Sequence, residues 1–482
     1  MMKKKYITSI AFVAMLIFST SCSKDFLETS PTQQVGSDEV FSSVEGGQAV
    51  MDGAYRYMYD SYSTHDDFGY RAIGLANDLM GEDMVAGNFH WFAYDYLLDN
   101  NQPSYRRPNF VWSMNYKIIF LANDVIKYIS LLPESDDRDF VLGQAYAMRG
   151  NAYTELIYQF AKTYVGHESE DGVPLNLEPG TEANAPSTVG EVYTQIVADF
   201  KQAVDYLDDN PAVAGTHMSH ITGPVANGML ARVLLIMNNW DEAATYAQAA
   251  RVSVPLMSID QYQLGFDNYA EQPWMWGFEI NDEQSTIYAS LFSHLDMTIG
   301  GYAGLGYMPK FVSNKLYNSM EDGDIRKGMI VDETNRVDGA VGYALVNYKF
   351  HANDGKGFSA DYVMMRPAEM LLIEAEAIAR QGSNDAAAQD LLLELRTVRQ
   401  TTPVASTNTG QALIDEILLE RRIELWGEGF RLFDLKRTKS GYDRSGDNHA
   451  FVSGADFAAE AEDDRFDRVV PQGEIDANEN YR

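Results

Sequence analysis

Cysteine is almost absent from the sequence, since Cys22 is the single example among 482 residues. Intramolecular disulfides and cysteine-based structural zinc sites are therefore excluded. Cations are also scarce, because 37 Lys and Arg stand against 70 Asp and Glu and give a formal net charge of −33. Such a chain has no broad basic surface for phosphate groups, so we expect no nucleic-acid partner. The same charge should repel sulfated and uronate-rich polysaccharides.

Sequence motifs for catalysis are missing as well. The chain has no Gly-x-Ser-x-Gly elbow, no His-Glu-x-x-His motif and no P-loop, and its glycines at 301–306 lack the dinucleotide fingerprint. His217 and His220 have no identifiable third ligand, and residues 321–324 lack the ligand series of an EF-hand. We therefore expect no catalytic residue, no metal and no cofactor. A secreted glycosidase remains an alternative, because 70 acidic residues leave many possible carboxylate pairs.

The first 22 residues have the layout of a secretion leader. Three lysines fall within residues 1–5, residues 7–18 are mostly apolar, and small residues at 19–21 directly precede Cys22. The apolar run is too short to span a membrane. The pattern resembles a bacterial lipoprotein signal, in which residues 1–21 are removed and Cys22 receives lipid. Residues 22–36 then form a tether; the alternative is an ordinary signal peptide with an incidental cysteine.

Helical periodicity dominates the rest of the chain and predicts an all-α fold. Helices are predicted near residues 44–58 and 112–126, and then in successive pairs. The paired segments are 140–164 with 190–207, 224–237 with 240–252, and 362–381 with 384–399, followed by a helix at 411–428. Alanines on facing stripes allow two helices to approach closely, and the pairs are similar to tetratricopeptide helices.

Two segments interrupt the helical pattern. Residues 60–108 and 253–361 are rich in Gly and aromatic residues and show no sustained helical period. We interpret them as long irregular insertions, the second with short helices and a small hairpin, in a single domain spanning residues 37–482. Loops on a rigid scaffold are where binding residues usually lie.

The last third of the chain resembles a known family. The segments that carry the resemblance are residues 366–377, 396–399 and above all 420–437, with further similarity at 112–123, 149–164, 231–250 and 470–475. They resemble the SusD/RagB family of surface lipoproteins. In residues 420–437 charged residues alternate with Trp426 and other large apolar residues, which favours an ion-paired structural element over an active site.

The resemblance implies both a fold and a function. The fold is a right-handed superhelical scaffold of four tetratricopeptide-like helix pairs with few short strands. The protein is expected on the outer face of the outer membrane, held by its lipid anchor, where it captures oligosaccharides and passes them to a TonB-dependent, SusC-like transporter. Some members capture peptides instead, which is a second alternative. The resemblance also implies that the ligand surface draws on loops in the two insertion regions.

Candidate ligand residues follow from the chemistry of sugars, whose apolar faces stack on aromatic rings and whose hydroxyls need polar partners. The first insertion supplies Trp91, Tyr94 and Tyr96 as stacking residues, with Asp83 and Asn88 as polar ones; the second supplies Trp274, Trp276, Tyr302 and Tyr307. We rank Trp91, Tyr94 and Tyr96 first and Trp274 and Trp276 second, and expect about half of the first set to pack against the helices. Trp112, Trp240 and Trp426 lie on helical stripes and are predicted to be core residues. With the acidic composition, these residues predict a neutral oligosaccharide as the ligand.

Overall fold

The structure is a computed structural model that describes residues 37–60, 62–180, 182–336, 343–353, 355–455 and 457–481. The predicted signal sequence, Cys22 and the predicted tether lie outside these residues, so lipidation stays a prediction. Within the described ranges, ten α-helices of ten or more residues form the scaffold. They are α1 (Val44–Tyr57), α2 (Tyr70–Leu79), α3 (Arg106–Ile129), α4 (Asp136–Phe160), α5 (Val189–Leu207), α6 (Gly223–Ile236), α7 (Trp240–Arg251), α8 (Pro367–Gln381), α9 (Asp385–Thr397) and α10 (Gln411–Glu424).

Local sequence signals set the ends of these helices. The Ser135 side chain caps α4 by accepting a hydrogen bond from the Arg138 amide, and Thr188 forms a reciprocal capping box with Glu191 at the start of α5. Helix α8 ends at Gly382, which has a left-handed φ of 69°. The helix pairs are therefore delimited by residues that the sequence displays.

The long helices pack in chain order. Helix α3 packs on α4, α4 on α5, α5 on α6, α6 on α7, α7 on α8, and α8 on both α9 and α10. Small residues permit this close stacking: Ala243, Ala247 and Ala250 of α7 are fully buried, and a Cβ on Gly150 of α4 would lie 3.0 Å from the Phe200 ring of α5. The prediction of an all-α scaffold built from tetratricopeptide-like helix pairs is confirmed.

Short strands join distant parts of the chain. The described residues contain five two-stranded antiparallel sheets. Their strands are β1 (Met84–Ala86) with β5 (Lys310–Val312), β2 (Asp171–Pro174) with β3 (Pro186–Thr188), β4 (Trp276–Phe278) with β8 (Tyr362–Met365), β6 (Ile330–Asp332) with β7 (Leu345–Asn347), and β9 (Tyr442–Asp443) with β10 (Ala458–Ala459). Because β1 lies in the first predicted insertion and β5 in the second, their pairing brings the two insertions together.

Two details differ from the sequence prediction. The first insertion is not wholly irregular, because it contains α2, whose residues other than Gly74 are all buried. This helix has only ten residues, and its buried residues include Arg71, Asn77 and Asp78, which are residue types expected at the surface. Helix α10 ends at Glu424 rather than at 428, since Gly427 and Gly429 have φ values of 79° and 97°. A Cβ on Gly429 would lie 2.6 Å from the Cα of Gly74, so the chain turns where it meets α2.

Candidate ligand-binding site

An aromatic surface forms where the two insertions meet beside the β1–β5 pair. The first insertion contributes His65, Phe89, His90, Trp91, Tyr94 and Tyr105, and the second contributes Tyr288, Tyr302 and Tyr307. We call these nine residues the aromatic platform. Tyr94 is 47% exposed and Tyr307 is 52% exposed, whereas Trp91 is half-buried. The platform therefore presents ring faces to solvent.

The rings of the platform hold one another in place. The Trp91 ring centroid lies 5.5 Å from that of His65 and 6.2 Å from that of Tyr302, and the Tyr288 ring centroid lies 5.4 Å from that of Tyr302. The Tyr302 hydroxyl and the His65 Nδ1 are 2.5 Å apart, a short hydrogen bond between the two insertions. Contacts of this kind fix ring orientation before a ligand arrives.

Beneath the platform lies a buried histidine and lysine pair. The His294 ring stacks on Tyr302 with a centroid distance of 5.0 Å, and its Nε2 lies 2.7 Å from the His65 carbonyl oxygen, to which it donates. The Lys310 Nζ donates to the Met308 carbonyl at 2.9 Å. Burial holds the pKa of His294 well below its ordinary value and lowers the pKa of Lys310 to about 7. At neutral pH His294 is therefore uncharged, and Lys310 is only partly protonated.

A surface cleft of about 560 Å³ opens over part of the platform. It is lined by Asp66, Phe89, His90, Trp91, Tyr94, Asn100, Tyr105, Arg106 and Arg107. This mixture of aromatic faces and a few polar groups is typical of a small-ligand site, and the volume accommodates several sugar rings. The arrangement can stack apolar faces and hydrogen-bond a polar rim.

The two arginines of the cleft are neutralised locally. Arg106 contacts Asp66 at 2.6 Å, while Arg107 contacts Asp66 at 3.1 Å and Asp95 at 3.2 Å. The Arg106 guanidinium also lies 5.8 Å from the Trp91 ring centroid. The aspartates balance the arginine charges, so this pair does not make a basic patch for an anionic ligand.

Several predicted site residues meet at this surface. Trp91 and Tyr94 line the cleft, and Tyr302 is an almost buried member of the platform whose ring contacts that of Trp91. Asn88 is exposed beside Phe89, whose amide donates to the Asn88 side-chain oxygen at 2.8 Å. These four residues stay candidates for ligand contact.

Two predicted residues of the first insertion are placed elsewhere. Tyr96 is 0% exposed, its hydroxyl lies 2.6 Å from the His449 Nδ1, and its ring lies 4.3 Å from the Arg444 guanidinium. Asp83 is buried in a salt bridge of 2.5 Å with Arg422. The prediction that these side chains face a ligand is wrong for this structure, because both are used to join the insertion to the C-terminal region.

The two tryptophans of the second insertion are also core residues. Trp276 lies in β4, is 1% exposed, and donates its indole N–H to the Ser219 carbonyl at 2.8 Å. Trp274 is buried and donates to the Gln272 side chain at 3.1 Å. Strand β4 pairs with β8 directly before α8, so its side chains pack against the scaffold. Their prediction as exposed stacking residues is therefore corrected.

Five members of the platform were not predicted from the sequence as ligand residues: His65, Phe89, His90, Tyr105 and Tyr288. Tyr288 lies in a stretch with no motif, and it approaches His65, at a ring-centroid distance of 5.7 Å, only through the fold. The sequence contains only indirect evidence for this contact, because His65 and Tyr288 both fall inside the predicted insertions. Their proximity depends on the pairing of β1 with β5, and strands of only three residues are difficult to predict from the sequence.

The charged segment of residues 420–437 contributes Glu424 and Glu428 to a buried ion network. Glu424 is 0% exposed and contacts Arg366 and Arg399 at 2.9 Å and Arg326 at 3.0 Å. Glu428 contacts Arg366 at 2.6 Å and Lys349 at 2.5 Å. We call these six residues the Glu424 network. The interpretation of this segment as an ion-paired structural element is confirmed.

The histidine pair considered as metal ligands takes separate partners. The His217 Nε2 lies 3.1 Å from Glu279, and the His220 Nε2 lies 3.3 Å from Asp52. In the part of the chain that the structure describes, no group of three His, Cys, Asp or Glu residues is arranged to hold a metal ion. Over the same residues, no helix has the length and apolarity needed to cross a membrane.

Comparison with known proteins agrees with this architecture. A family model described as the SusD family matches residues 306–482, and one described as starch-binding associating with outer membrane matches residues 25–235. The chain is 25% identical to the SusD-like protein P2 of Formosa agariphila over an alignment that covers 99% of this chain and 95% of that protein.

Solved structures give the same result. A SusD-like carbohydrate binding protein from Bacteroides vulgatus is 26% identical with a TM-score of 0.81, covering 91% of this chain and 97% of that one. The surface glycan-binding protein A of Bacteroides uniformis shares the fold with a TM-score of 0.69 and 20% identity, covering 91% of this chain and 98% of that one. Because the two SusD-family models together match residues 25–235 and 306–482, the chain belongs to the SusD/RagB family.

Proposed function

We propose that this protein is a non-enzymatic glycan-binding lipoprotein that captures neutral oligosaccharides on the aromatic platform. The observation that carries the proposal is the 560 Å³ cleft over Trp91 and Tyr94, with ring faces exposed beside polar groups. Sugar rings stack on such faces through their C–H groups, while hydroxyls bond to the rim. The Bacteroides vulgatus relative is itself described as carbohydrate binding.

The preference for neutral sugars is supported by the electrostatics of the cleft. Arg106 and Arg107 are paired with Asp66 and Asp95, and the whole chain carries a formal charge of −33. A sulfate or uronate would meet no unpaired guanidinium from this pair and would cross a negative field to reach it. An uncharged ligand needs no unpaired guanidinium and is not repelled by the negative field.

A binding role is favoured over glycoside hydrolysis by the carboxylates near the cleft. Among the lining residues in the described part of the chain, Asp66 alone carries a carboxylate, and it is held by two arginines. A glycosidase ordinarily needs a pair of carboxylates across the scissile bond, one of them able to donate a proton. The one carboxylate of the lining does not supply such a pair.

The cellular setting follows from the family and the leader sequence. We propose that Cys22 is lipidated, that the protein is held on the outer face of the outer membrane, and that it delivers its ligand to a TonB-dependent, SusC-like transporter. One of the matching family models is described as associating with the outer membrane. Fatty-acid labelling that persists in Cys22→Ala would contradict the anchor.

The test is a binding measurement on the chain from residue 23 onward, without its leader and lipid. Glycan arrays should identify neutral oligosaccharide ligands, and calorimetry with the best of them should give an affinity that Trp91→Ala lowers about two- to tenfold. Tyr128→Ala is the matched control, because Tyr128 is an exposed ring on α3 outside the platform. Binding to a peptide library without any glycan signal would favour peptide capture, and ligand cleavage proportional to protein concentration would favour a glycosidase.

A further inference from the structure

A second cavity, of about 90 Å³, lies between α2, α4 and α6. Its walls include Arg71 of α2, Glu155 and Tyr158 of α4, and Arg232 of α6, and Phe430 and Phe433 close it from the C-terminal region. We call it the inner chamber. It is separate from the platform cleft, because the two cavities share no lining residue.

Three buried polar atoms of the chamber walls have no hydrogen-bond partner among the described residues. They are Arg71 Nε, Glu155 Oε2 and the Tyr158 hydroxyl. The rest of the Arg71 guanidinium is occupied, since its Nη1 and Nη2 donate to the Glu428 and Gly427 carbonyls at 3.1 and 2.7 Å. Leaving a buried polar atom unbonded costs about 1–3 kcal/mol, so three around one cavity point to an occupant.

The chemistry of the three atoms defines that occupant. Arg71 Nε is a donor, Glu155 Oε2 is an acceptor, and the Tyr158 hydroxyl can be either. A metal cation would face the Arg71 guanidinium, and an anion would face the Glu155 carboxylate, so neither ion is favoured. A molecule that both donates and accepts satisfies all three, and water is the smallest one.

The surrounding charges leave Glu155 without a direct partner. Arg232 is the cation that acts on it, but the Arg232 guanidinium binds Glu369 with two contacts of 2.6 Å. Glu428, also in the wall, is bound by Lys349 and Arg366. Burial accordingly raises the pKa of Glu155 to about 7, although Arg232 opposes the rise.

We infer that the inner chamber binds a cluster of water molecules that links Arg71, Glu155 and Tyr158, since its volume of about 90 Å³ exceeds the roughly 10–15 Å³ that one water needs. Arg71 belongs to α2, and Glu155 and Tyr158 lie one turn apart on α4. The cluster therefore fastens the first insertion to the helical scaffold. The segment just before α2 carries His65 and Asp66, so the waters stabilise the base from which part of the platform extends.

The first test is a high-resolution crystal structure of the wild-type chain from residue 23 onward. Water peaks about 2.7–3.2 Å from Arg71 Nε, Glu155 Oε2 and the Tyr158 hydroxyl are expected. Direct pairing of these side chains with one another, a chamber without density, or a larger bound molecule would each overturn the inference.

The second test uses the sign of a stability change. If the waters are bound, Tyr158→Phe removes a satisfied hydroxyl, and the melting temperature should fall by on the order of 1–2 °C. If the chamber is dry, the same change removes an unsatisfied buried hydroxyl and the melting temperature should rise. Tyr153→Phe on the same helix is the control, because its hydroxyl donates to the Asn176 carbonyl at 2.9 Å and its loss must destabilise. An unchanged or raised value for Tyr158→Phe contradicts the water cluster.

Discussion

The Glu424 network and the aromatic platform both contain many charged, polar or aromatic side chains. They differ in whether those side chains contact other parts of the protein or the solvent. Glu424 and its three arginines are buried and bonded to one another, whereas Tyr94 and Tyr307 are about half exposed. In the network every cation is bound to a buried carboxylate, so the network stabilises the fold. The platform has ring faces that remain exposed to solvent, and only exposed surface can bind a ligand.

The largest effect should follow from breaking the network. Glu424→Gln leaves Arg326, Arg366 and Arg399 without their shared carboxylate, and removing one partner of a buried ion pair costs about 3–5 kcal/mol. Urea denaturation should show this loss in the free energy of unfolding. Glu394→Gln is the control, since Glu394 forms a half-exposed pair with Arg251 and should change stability by less than about 1 kcal/mol.

Equal losses in the two glutamate variants would show that the network contributes no more than a surface ion pair. The network and the platform would then differ in where they lie in the protein, and not in their contribution to its stability.

Two tryptophans should separate stability from binding. Trp426 is buried and donates its indole N–H to the Asp83 carbonyl at 3.1 Å, so Trp426→Ala should cost about 3–5 kcal/mol of stability. Trp91→Ala should lower ligand affinity with little change in melting temperature, because Trp91 is half-buried on the platform. A sharply lowered melting temperature for Trp91→Ala, with normal binding by the folded protein, would remove Trp91 from the site.

Acid should destabilise the protein through the buried carboxylates of the network. Burial raises the pKa of Glu428, but Arg366 and Lys349 outweigh it and hold the pKa at about 2, below the ordinary 4.5. A folded-state pKa below the unfolded one gives stability that is present above about pH 4.5 and is lost as the pH falls towards 2. Glu376, held at about 2 beside Arg437, acts in the same direction. Denaturation from pH 7 to 2 should show this decline, and a flat profile would contradict the ion pairs.

Neighbouring tyrosines of the first insertion provide a finer test. Tyr94→Ala should lower ligand affinity a few-fold without changing stability, because its ring is exposed in the cleft. Tyr96→Phe should lower the free energy of unfolding by about 1 kcal/mol through loss of the bond to His449, with affinity unchanged. Reduced affinity in both variants would show that the cleft extends inward to Tyr96.

The smallest effect concerns salt. Binding of a neutral glycan should change little between low and moderate ionic strength, since no net charge is exchanged between ligand and cleft. Calorimetry at two salt concentrations measures this. A steep decline with salt would show that Arg106 binds an anionic group instead of remaining paired with Asp66.

The sequence predicted the scaffold well because its signals are local. Ser135 and Thr188 begin helices, and Gly382 ends one, through contacts with atoms only a few residues away. The spacing of the alanines on α7 indicates directly which face of that helix is buried. The site was predicted less well. Tyr94 and Tyr96 are two residues apart and chemically identical, yet one is exposed and the other is fully buried.

The difference between those two tyrosines depends on partners far along the chain. Tyr96 is buried because Arg444 and His449 cover it, and Trp276 is buried because Ser219 accepts its indole N–H. No pattern within either insertion encodes these contacts. The composition was therefore enough to predict where the insertions lie. Which of their aromatic residues are buried and which are exposed is determined by the tertiary structure.

The pairing of β1 with β5 also has a consequence for how the protein matures. Met84 pairs with Val312, and helices α3 to α7 lie between them in the chain. Contacts between such distant segments form slowly, because a long loop must close first. During synthesis helices α1 to α7 can therefore assemble before the platform exists. A fragment that stops before Lys310 should be helical but unable to bind glycan, so ligand binding reports that the chain has been made and folded at least as far as β5.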